Sequence, residues 1–204
     1  MVDGSAGGNG DKEGITRRRF ALGMVIASLA GAFGSLFALL KVLAPEKKGG
    51  AYATTIQPGD GLVYAQGGNA GTPVVASSMK VGDAVLAYPS GKSSNPANLV
   101  QLIKLEEKAF EPPTDTLLTD QGFVAYSAIC THLGCTVSWV ANQETPVVSY
   151  TECYCHNSIF NPAQGAKVMA GPAPIPLAQI GVKVMQDGTL AFTSNFNGPI
   201  GPQV

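Results

Sequence analysis

Apolar and polar positions divide the chain into two regions of different character. Residues 20–40 form one uncharged and mainly apolar stretch, which follows directly on three arginines at 17–19. After residue 51, apolar positions come in short runs separated by glycine, proline, asparagine and aspartate. Long uninterrupted apolar segments are typical of membrane-spanning helices, and short interrupted runs are typical of β-strands. The pattern predicts one N-terminal transmembrane helix followed by a β-rich domain.

The apolar stretch has the length and the flanks of a membrane anchor. Its 21 residues would rise about 31 Å as a helix, which matches the hydrocarbon thickness of a bilayer. The segment Thr16–Leu22 resembles a twin-arginine export signal, with paired arginines shortly before Phe20. No convincing small-residue cleavage site precedes Pro45, so we expect the segment to stay attached as an anchor. The arginines place the N-terminus in the cytoplasm and the rest of the chain across the membrane.

These features predict four parts along the chain. Residues 1–15 are glycine-rich and polar, as in a disordered cytoplasmic tail. Residues 16–43 are the signal and anchor, and residues 44–51, with a proline and a glycine pair, are a hinge or a spacer. Residues 52–204 are the folded domain. This organisation predicts a single-pass protein of the bacterial cell membrane, in contact with lipid, with its soluble domain on the outer side.

The domain is predicted to be a single antiparallel all-β unit with many short strands. Residues 104–122 contain charges and a Pro-Pro pair, and we expect them to form an irregular excursion with one short helix. The runs that read as strands are Gly61–Ala65, Ala84–Tyr88, Leu99–Ile103, Phe123–Tyr126, Val137–Val140, Val182–Met185 and Leu190–Phe192.

Composition and net charge exclude one class of partner. Charged residues make up 13% of the chain, against roughly 25% in an average soluble domain. The membrane segment accounts for part of that deficit. The formal net charge of −1 gives no basic surface that would hold nucleic acid, so we expect no nucleic-acid partner.

The chemistry is concentrated in two short boxes. All four cysteines and both histidines lie between Cys130 and His156. The first box is Cys-Thr-His-Leu-Gly-Cys from residue 130, and the second is Cys-Tyr-Cys-His-Asn-Ser from residue 153. Two thiolates and two imidazoles could hold zinc in a structural interaction domain. However, each box offers one Cys and one His, which suits a two-iron cluster with one iron on sulfur and one on nitrogen.

The two boxes resemble those of Rieske iron–sulfur proteins, in particular those of cytochrome bc-type complexes with an additional cysteine pair. The likeness extends to the single anchor, the hinge, the β domain and Gly171–Pro174, which matches the proline loop over the cluster. It implies a Rieske-type antiparallel β domain with a cluster-binding subdomain and a [2Fe–2S] cofactor. Carried over by position, Cys130 and Cys153 bind one iron, while His132 and His156 bind the other.

The resemblance also implies roles for other residues of the boxes. Cys135 and Cys155 match the disulfide between the two loops. Leu133 matches the apolar tip residue that shields the cluster and meets cytochrome b near the quinol site. Ser158 matches the serine whose hydroxyl donates a hydrogen bond to a cluster sulfide.

Three positions depart from the family pattern. Phe160 stands where many high-potential members have tyrosine, so a lower reduction potential is expected. Tyr154 replaces a usual proline and Asn157 a usual glycine. Asparagine is among the better substitutes where glycine takes a positive φ. A lower potential would suit a menaquinol-type donor.

The implied function is that of the electron-transfer subunit of a quinol–cytochrome c oxidoreductase, which is not catalytic alone. His156 or His132 would accept the quinol hydrogen bond, and the electron would pass to a c-type cytochrome beside a cytochrome b subunit. Two alternatives stay open from the sequence. One is the small Rieske subunit of an arsenite oxidase, and the other is the structural zinc domain.

Overall fold

The computed structural model describes Arg17 and residues 20–22, 24–26, 53–141 and 149–203. The chain divides into two units, Met1–Lys47 and Lys48–Val204. In the first unit the described residues are helical. Among all the described residues, no helix combines the length and the apolar composition that crossing a bilayer requires. The predicted tail, the predicted hinge and most of the predicted anchor lie outside the described residues.

The second unit consists of short strands, which confirms the prediction of a mainly β domain. Its strands are β1 (Leu62–Tyr64), β2 (Ala84–Pro89), β3 (Val100–Lys104), β4 (Phe123–Ser127), β5 (Ser138–Val140), β6 (Tyr150–Cys153), β7 (Ser158–Asn161), β8 (Lys167–Ala170), β9 (Gln179–Ile180), β10 (Val182–Val184) and β11 (Leu190–Phe192). Its 3-10 helices, each a single turn, are Ala76–Ser78, Pro96–Asn98, Glu107–Ala109, Thr116–Leu118 and Pro162–Gln164.

One five-stranded antiparallel sheet forms the base of the domain. Its strand order is β1-β2-β3-β4-β9, and a hairpin of β10 and β11 accompanies it. The β3–β4 register places Val100 opposite Ser127 and Lys104 opposite Phe123. Strands β3 and β4 are almost wholly buried, which explains their nearly continuous apolar sequences. The core on this side includes Leu62, Val74, Leu102, Phe123, Leu190 and Phe192.

A second antiparallel sheet has the order β5-β6-β7-β8 and carries the chemistry of the two boxes. The second box forms the turn between β6 and β7, where Cys153 pairs with Ser158 in the register. The first box lies in the connection from β4 to β5, so it joins the two sheets. A second core, which includes Cys130, Cys153 and Phe160, lies beneath both boxes.

The sequence predicted the base sheet and missed most of the second sheet. Strands β6, β7 and β8, together with β9 of the base sheet, were not predicted, because they mix polar with apolar positions. The excursion at 104–122 contains two 3-10 turns where one short helix was expected. Local sequence patterns identify long buried strands, whereas short strands depend on their partners.

Buried polar contacts link the second sheet to the base sheet. The Thr151 hydroxyl of β6 donates to Oε1 of Gln101 in β3 at 2.5 Å, and both residues are buried. The Trp139 indole nitrogen donates to the carbonyl oxygen of Gly82 at 2.8 Å. A buried polar group is costly when unpaired. These contacts therefore favour one arrangement of the two sheets over others.

The Gln101–Thr151 contact predicts a non-additive effect of mutation. Gln101→Leu and Thr151→Val should each lower the free energy of unfolding by about 1–3 kcal/mol, because each leaves one buried polar group without its hydrogen-bond partner. The double variant should lose clearly less free energy of unfolding than the sum of the two single losses, since it leaves neither polar group unpaired. Urea unfolding followed by circular dichroism measures all three. Simple additivity would show that the two side chains do not depend on each other.

Candidate functional site

The first box is held in a tight loop between β4 and β5. The backbone N–H of Cys130 donates to the carbonyl oxygen of Cys135 at 2.8 Å, and the Gly134 N–H donates to the Cys130 carbonyl oxygen at 3.0 Å. Gly134 has a φ of +83°, a conformation that favours glycine. The loop therefore closes on itself and turns the Cys130 side chain into the core, where 1% of the residue is exposed.

The second box forms the turn that joins β6 to β7. Cys153 and Ser158 are buried at the strand ends, while the residues between them are exposed. Asn157 has a φ of +55°. Asparagine is among the few non-glycine residues that adopt this left-handed conformation readily. The turn places a buried cysteine and an exposed histidine three residues apart.

A disulfide joins the two loops. It links Cys135 to Cys155 with a Cα–Cα distance of 6.6 Å, as the resemblance predicted. The sulfur of Cys153 lies near it, since the sulfurs of these three residues are all within 4.8 Å of one another. A disulfide sulfur is not a thiolate ligand. The free cysteines are Cys130 and Cys153, and both are buried.

The two free thiols lie side by side in an environment that disfavours charge. Burial raises the pKa of the Cys130 thiol to about 11, with contributions in both directions from hydrogen bonds. Cys153 adds to the increase through a hydrogen bond and charge repulsion, whereas the His132 backbone and the Ser158 side chain oppose it. Two adjacent buried thiolates need a compensating positive charge. A metal centre bound to both sulfurs supplies that charge.

The rings of His132 and His156 contact each other. Their ring centroids are 4.6 Å apart with an interplanar angle of 87°. The Nδ1 atom of His132 is buried and has no hydrogen-bond partner among the described residues. A buried ring nitrogen without a partner is costly, and metal ligation is one way to satisfy it. Two buried thiols and two adjoining imidazoles therefore fit a cluster with mixed sulfur and nitrogen ligands.

A third segment, the proline loop Gly171–Pro174, closes against the second box. Gly171 has a φ of +86°, and a Cβ at this position would lie 2.5 Å from both the Asn157 carbonyl oxygen and the Ser158 Cα. Only glycine permits this close approach. The backbone N–H of Ala173 donates to the Ser158 Oγ at 3.1 Å. The Ser158 O–H hydrogen is then available to another acceptor.

Thr131 is a site residue that sequence reasoning missed. It lies between Cys130 and His132, is 1% exposed, and donates from its hydroxyl to the Ile175 carbonyl oxygen at 2.7 Å. The first box is thereby tied to the chain that follows the proline loop. A polar side chain between two predicted ligands could have indicated that Thr131 belongs to the site, but nothing in the sequence identifies its hydrogen-bond acceptor.

The outer face of the site is apolar. Leu133 is 59% exposed and Tyr154 is 62% exposed, each next to a residue of the predicted ligand set. Exposed apolar groups of this size commonly mark contact surfaces. The side chain of Leu133 is therefore accessible to a partner.

Comparison with known proteins is consistent with this geometry. Residues 100–181 match the family model described as the Rieske [2Fe-2S] domain. A Haloferax mediterranei protein named as a respiratory nitrate reductase subunit Rieske is 31% identical over 92% of this chain and 81% of its own length. The cytochrome bc1 complex Rieske iron-sulfur subunit of Streptomyces lividans is 32% identical over 66% of this chain and 81% of its own length. The cytochrome b6-f complex iron-sulfur subunit of Synechococcus elongatus is 28% identical over 91% and 88%.

These relatives decide between the alternatives that the sequence left open. The cofactor is a [2Fe–2S] cluster, so the alternative of a structural zinc domain is not supported. None of the three relatives described above is named for an arsenite oxidase. The fold, the buried thiols and the sequence matches agree on one conclusion. The chain belongs to the Rieske family of [2Fe–2S] iron–sulfur proteins.

Proposed function

We propose that Cys130 and Cys153 hold one iron of the cluster and that His132 and His156 hold the other. The support is the pair of free buried thiols and the unpaired Nδ1 atom of His132. When bound, the cluster supplies a one-electron carrier of raised potential, because neutral imidazoles replace two thiolates. The disulfide between Cys135 and Cys155 holds the two ligand loops at a fixed separation.

We propose that this chain is the electron-transfer subunit of a quinol–cytochrome c oxidoreductase. The observation that carries the proposal is the position of His156, an exposed residue in the same turn as buried Cys153, with its ring against that of His132. Its second ring nitrogen can accept a hydrogen bond from a quinol and take up the proton. His132 is the other candidate acceptor. The names of the Streptomyces and Synechococcus relatives, which belong to bc1 and b6-f complexes, favour this assignment.

Three neighbouring residues have supporting roles in this proposal. Exposed Leu133 would contact the cytochrome b subunit and exclude water near the quinol. Ser158 accepts a hydrogen bond from Ala173 and would donate its own hydrogen toward the sulfur side of the site. Charge that develops on the sulfur side is stabilised by such a donor. The electron would then pass to a c-type cytochrome.

The N-terminal region completes the proposal. Residues 1–15 would be a cytoplasmic tail, residues 16–43 a twin-arginine signal retained as the anchor, and residues 44–51 a hinge. The uncharged stretch and its arginine flank support this assignment. The domain of residues 52–204 would then lie on the outer side of the bacterial membrane and move between its partners.

Proline substitutions that stiffen residues 44–51 should slow turnover, and unchanged turnover would refute the movement.

The relative from Haloferax favours a second candidate, the electron-transfer subunit of a nitrate reductase. Its match extends over 92% of this chain. Affinity purification of the full chain from detergent-solubilised membranes distinguishes the two. We expect b-type and c-type haem in the purified complex, with quinol-dependent cytochrome c reduction. Nitrate reduction by the complex would support the second candidate, and recovery of the chain in the soluble fraction would refute the anchor.

Removal of single ligands tests the assignment directly. Cys153→Ser and His156→Asn should each reduce bound iron to background and abolish the low-temperature EPR signal of the dithionite-reduced protein. Cys135→Ser is the matched control, because it removes a cysteine but leaves the four proposed ligands in place. It should retain iron, although less firmly. A ligand variant with the normal EPR signal would show that another residue binds the cluster.

Phe160 predicts a low reduction potential. The side chain is fully buried in the core that contains Cys130 and Cys153. Phe160→Tyr should raise the potential by about 60 mV if its hydroxyl reaches a ligand sulfur, since a net hydrogen bond of about 1.4 kcal/mol corresponds to that shift for one electron. Redox titration measures it, with Tyr154→Phe as an exposed control. A wild-type potential at the top of the Rieske range would contradict a menaquinol-type donor.

A further inference from the structure

The turn between β7 and β8 adopts an unusual conformation outside the two boxes. It runs from Pro162 to Ala166 and contains two successive residues with positive φ, Gly165 at +61° and Ala166 at +50°. Ala166 is also buried, at 1% exposed. An alanine seldom adopts this conformation by itself, so contacts from outside the turn must stabilise it.

Those contacts come mainly from the segment that precedes β4. The Thr114 hydroxyl donates to the Ala163 carbonyl oxygen at 2.8 Å and accepts from the Gly165 N–H at 2.7 Å. The Glu111 N–H donates to the same Ala163 oxygen at 2.8 Å. One threonine side chain thus satisfies both a donor and an acceptor of the turn, and the threonine is 8% exposed.

Tyr126 of β4 supports the same turn from the base sheet. Its hydroxyl donates to the Pro162 carbonyl oxygen at 2.8 Å. Burial raises the pKa of this phenol far above its ordinary value, with the hydrogen bond to Thr114 opposing the increase. The hydroxyl therefore remains protonated and available as a donor. A Cβ on Gly165 would lie 3.1 Å from Pro113, so the turn also packs closely against this segment.

The turn determines where β8 lies, and β8 leads into the proline loop. The pairing of β7 with β8 is irregular, because Ile159 lies opposite Ala170 whereas Phe160 lies opposite Val168. Three residues after β8 comes Ala173, whose N–H reaches Ser158. Gly171 meets the backbone of Asn157 and Ser158 with no spare room. A small displacement of β8 would break both contacts.

We propose that Thr114 is a positioning residue for the cluster site. It holds the turn 162–166 in place, and the turn in turn sets the position of the proline loop against the second box. The segment 105–122 is then a brace for the site. Thr114 touches none of the four proposed ligands. The proposal rests on the proposed cluster site for its functional consequence, but the positioning of the proline loop is independent of metal.

The test compares Thr114→Val with Thr114→Ser in the full chain. Valine keeps the volume and removes both hydrogen bonds, whereas serine keeps the hydroxyl. Cluster loss to a chelator, followed by visible absorbance, should be about tenfold faster in the valine variant, because the Gly165 N–H loses its acceptor and the Ala163 oxygen keeps only the Glu111 N–H. The serine variant should lie within about twofold of the wild type. The EPR spectrum of the reduced valine variant should also change.

Val74→Ala controls for general destabilisation, because Val74 is fully buried in the core on the opposite side of the domain. It should lower the melting temperature without accelerating cluster loss. Tyr126→Phe removes the Pro162 contact and should act in the same direction as Thr114→Val, which keeps a second variant available if the first does not fold. Equal acceleration by Val74→Ala and Thr114→Val would overturn the proposal.

Hydrogen exchange separates this proposal from the cluster assignment. Amides of residues 167–173 should exchange faster in Thr114→Val than in Thr114→Ser, whether or not iron is bound. If the wild-type protein held no iron, the cluster assignment would fail while this measurement still decided the role of Thr114. Unchanged exchange in both variants would overturn the positioning role.

Discussion

The central constraint on this domain is that two free thiols are buried side by side. Cys130 and Cys153 come from different loops, and burial disfavours the charged form that a metal requires. Two adjacent buried thiolates are stable only when a positive centre neutralises them, and the loops must hold their separation while it does so. The disulfide between Cys135 and Cys155 provides the covalent part of that restraint.

The remaining restraint comes from the surrounding chain. The proline loop contacts the second box through Gly171 and Ala173, and Thr131 connects the first box to Ile175. Each of these contacts is a backbone approach or a single buried hydrogen bond. Since a buried donor without an acceptor costs more than the bond contributes, such contacts specify one geometry more than they add stability. The hydrogen bonds of Thr114 restrain the turn that precedes β8 in the same way.

The site has an inner and an outer side with different chemistry. The thiols lie in the core, whereas His156 and Leu133 are exposed at the loop tips. This asymmetry permits a donor to reach an imidazole while the sulfur side stays dry.

The sequence by itself identified the proposed ligands, their grouping into two boxes and most strands of the base sheet. It could do so because these features are local: a spacing of Cys and His, or an uninterrupted run such as that of β4. Only the tertiary structure revealed β6 to β8, the acceptor of Thr131 and the contacts of Thr114. The strands β6 to β8 mix polar with apolar positions. The hydrogen bonds of Thr131 and Thr114 join residues 44 to 51 positions apart, and no local pattern encodes which distant backbone group a hydroxyl will meet.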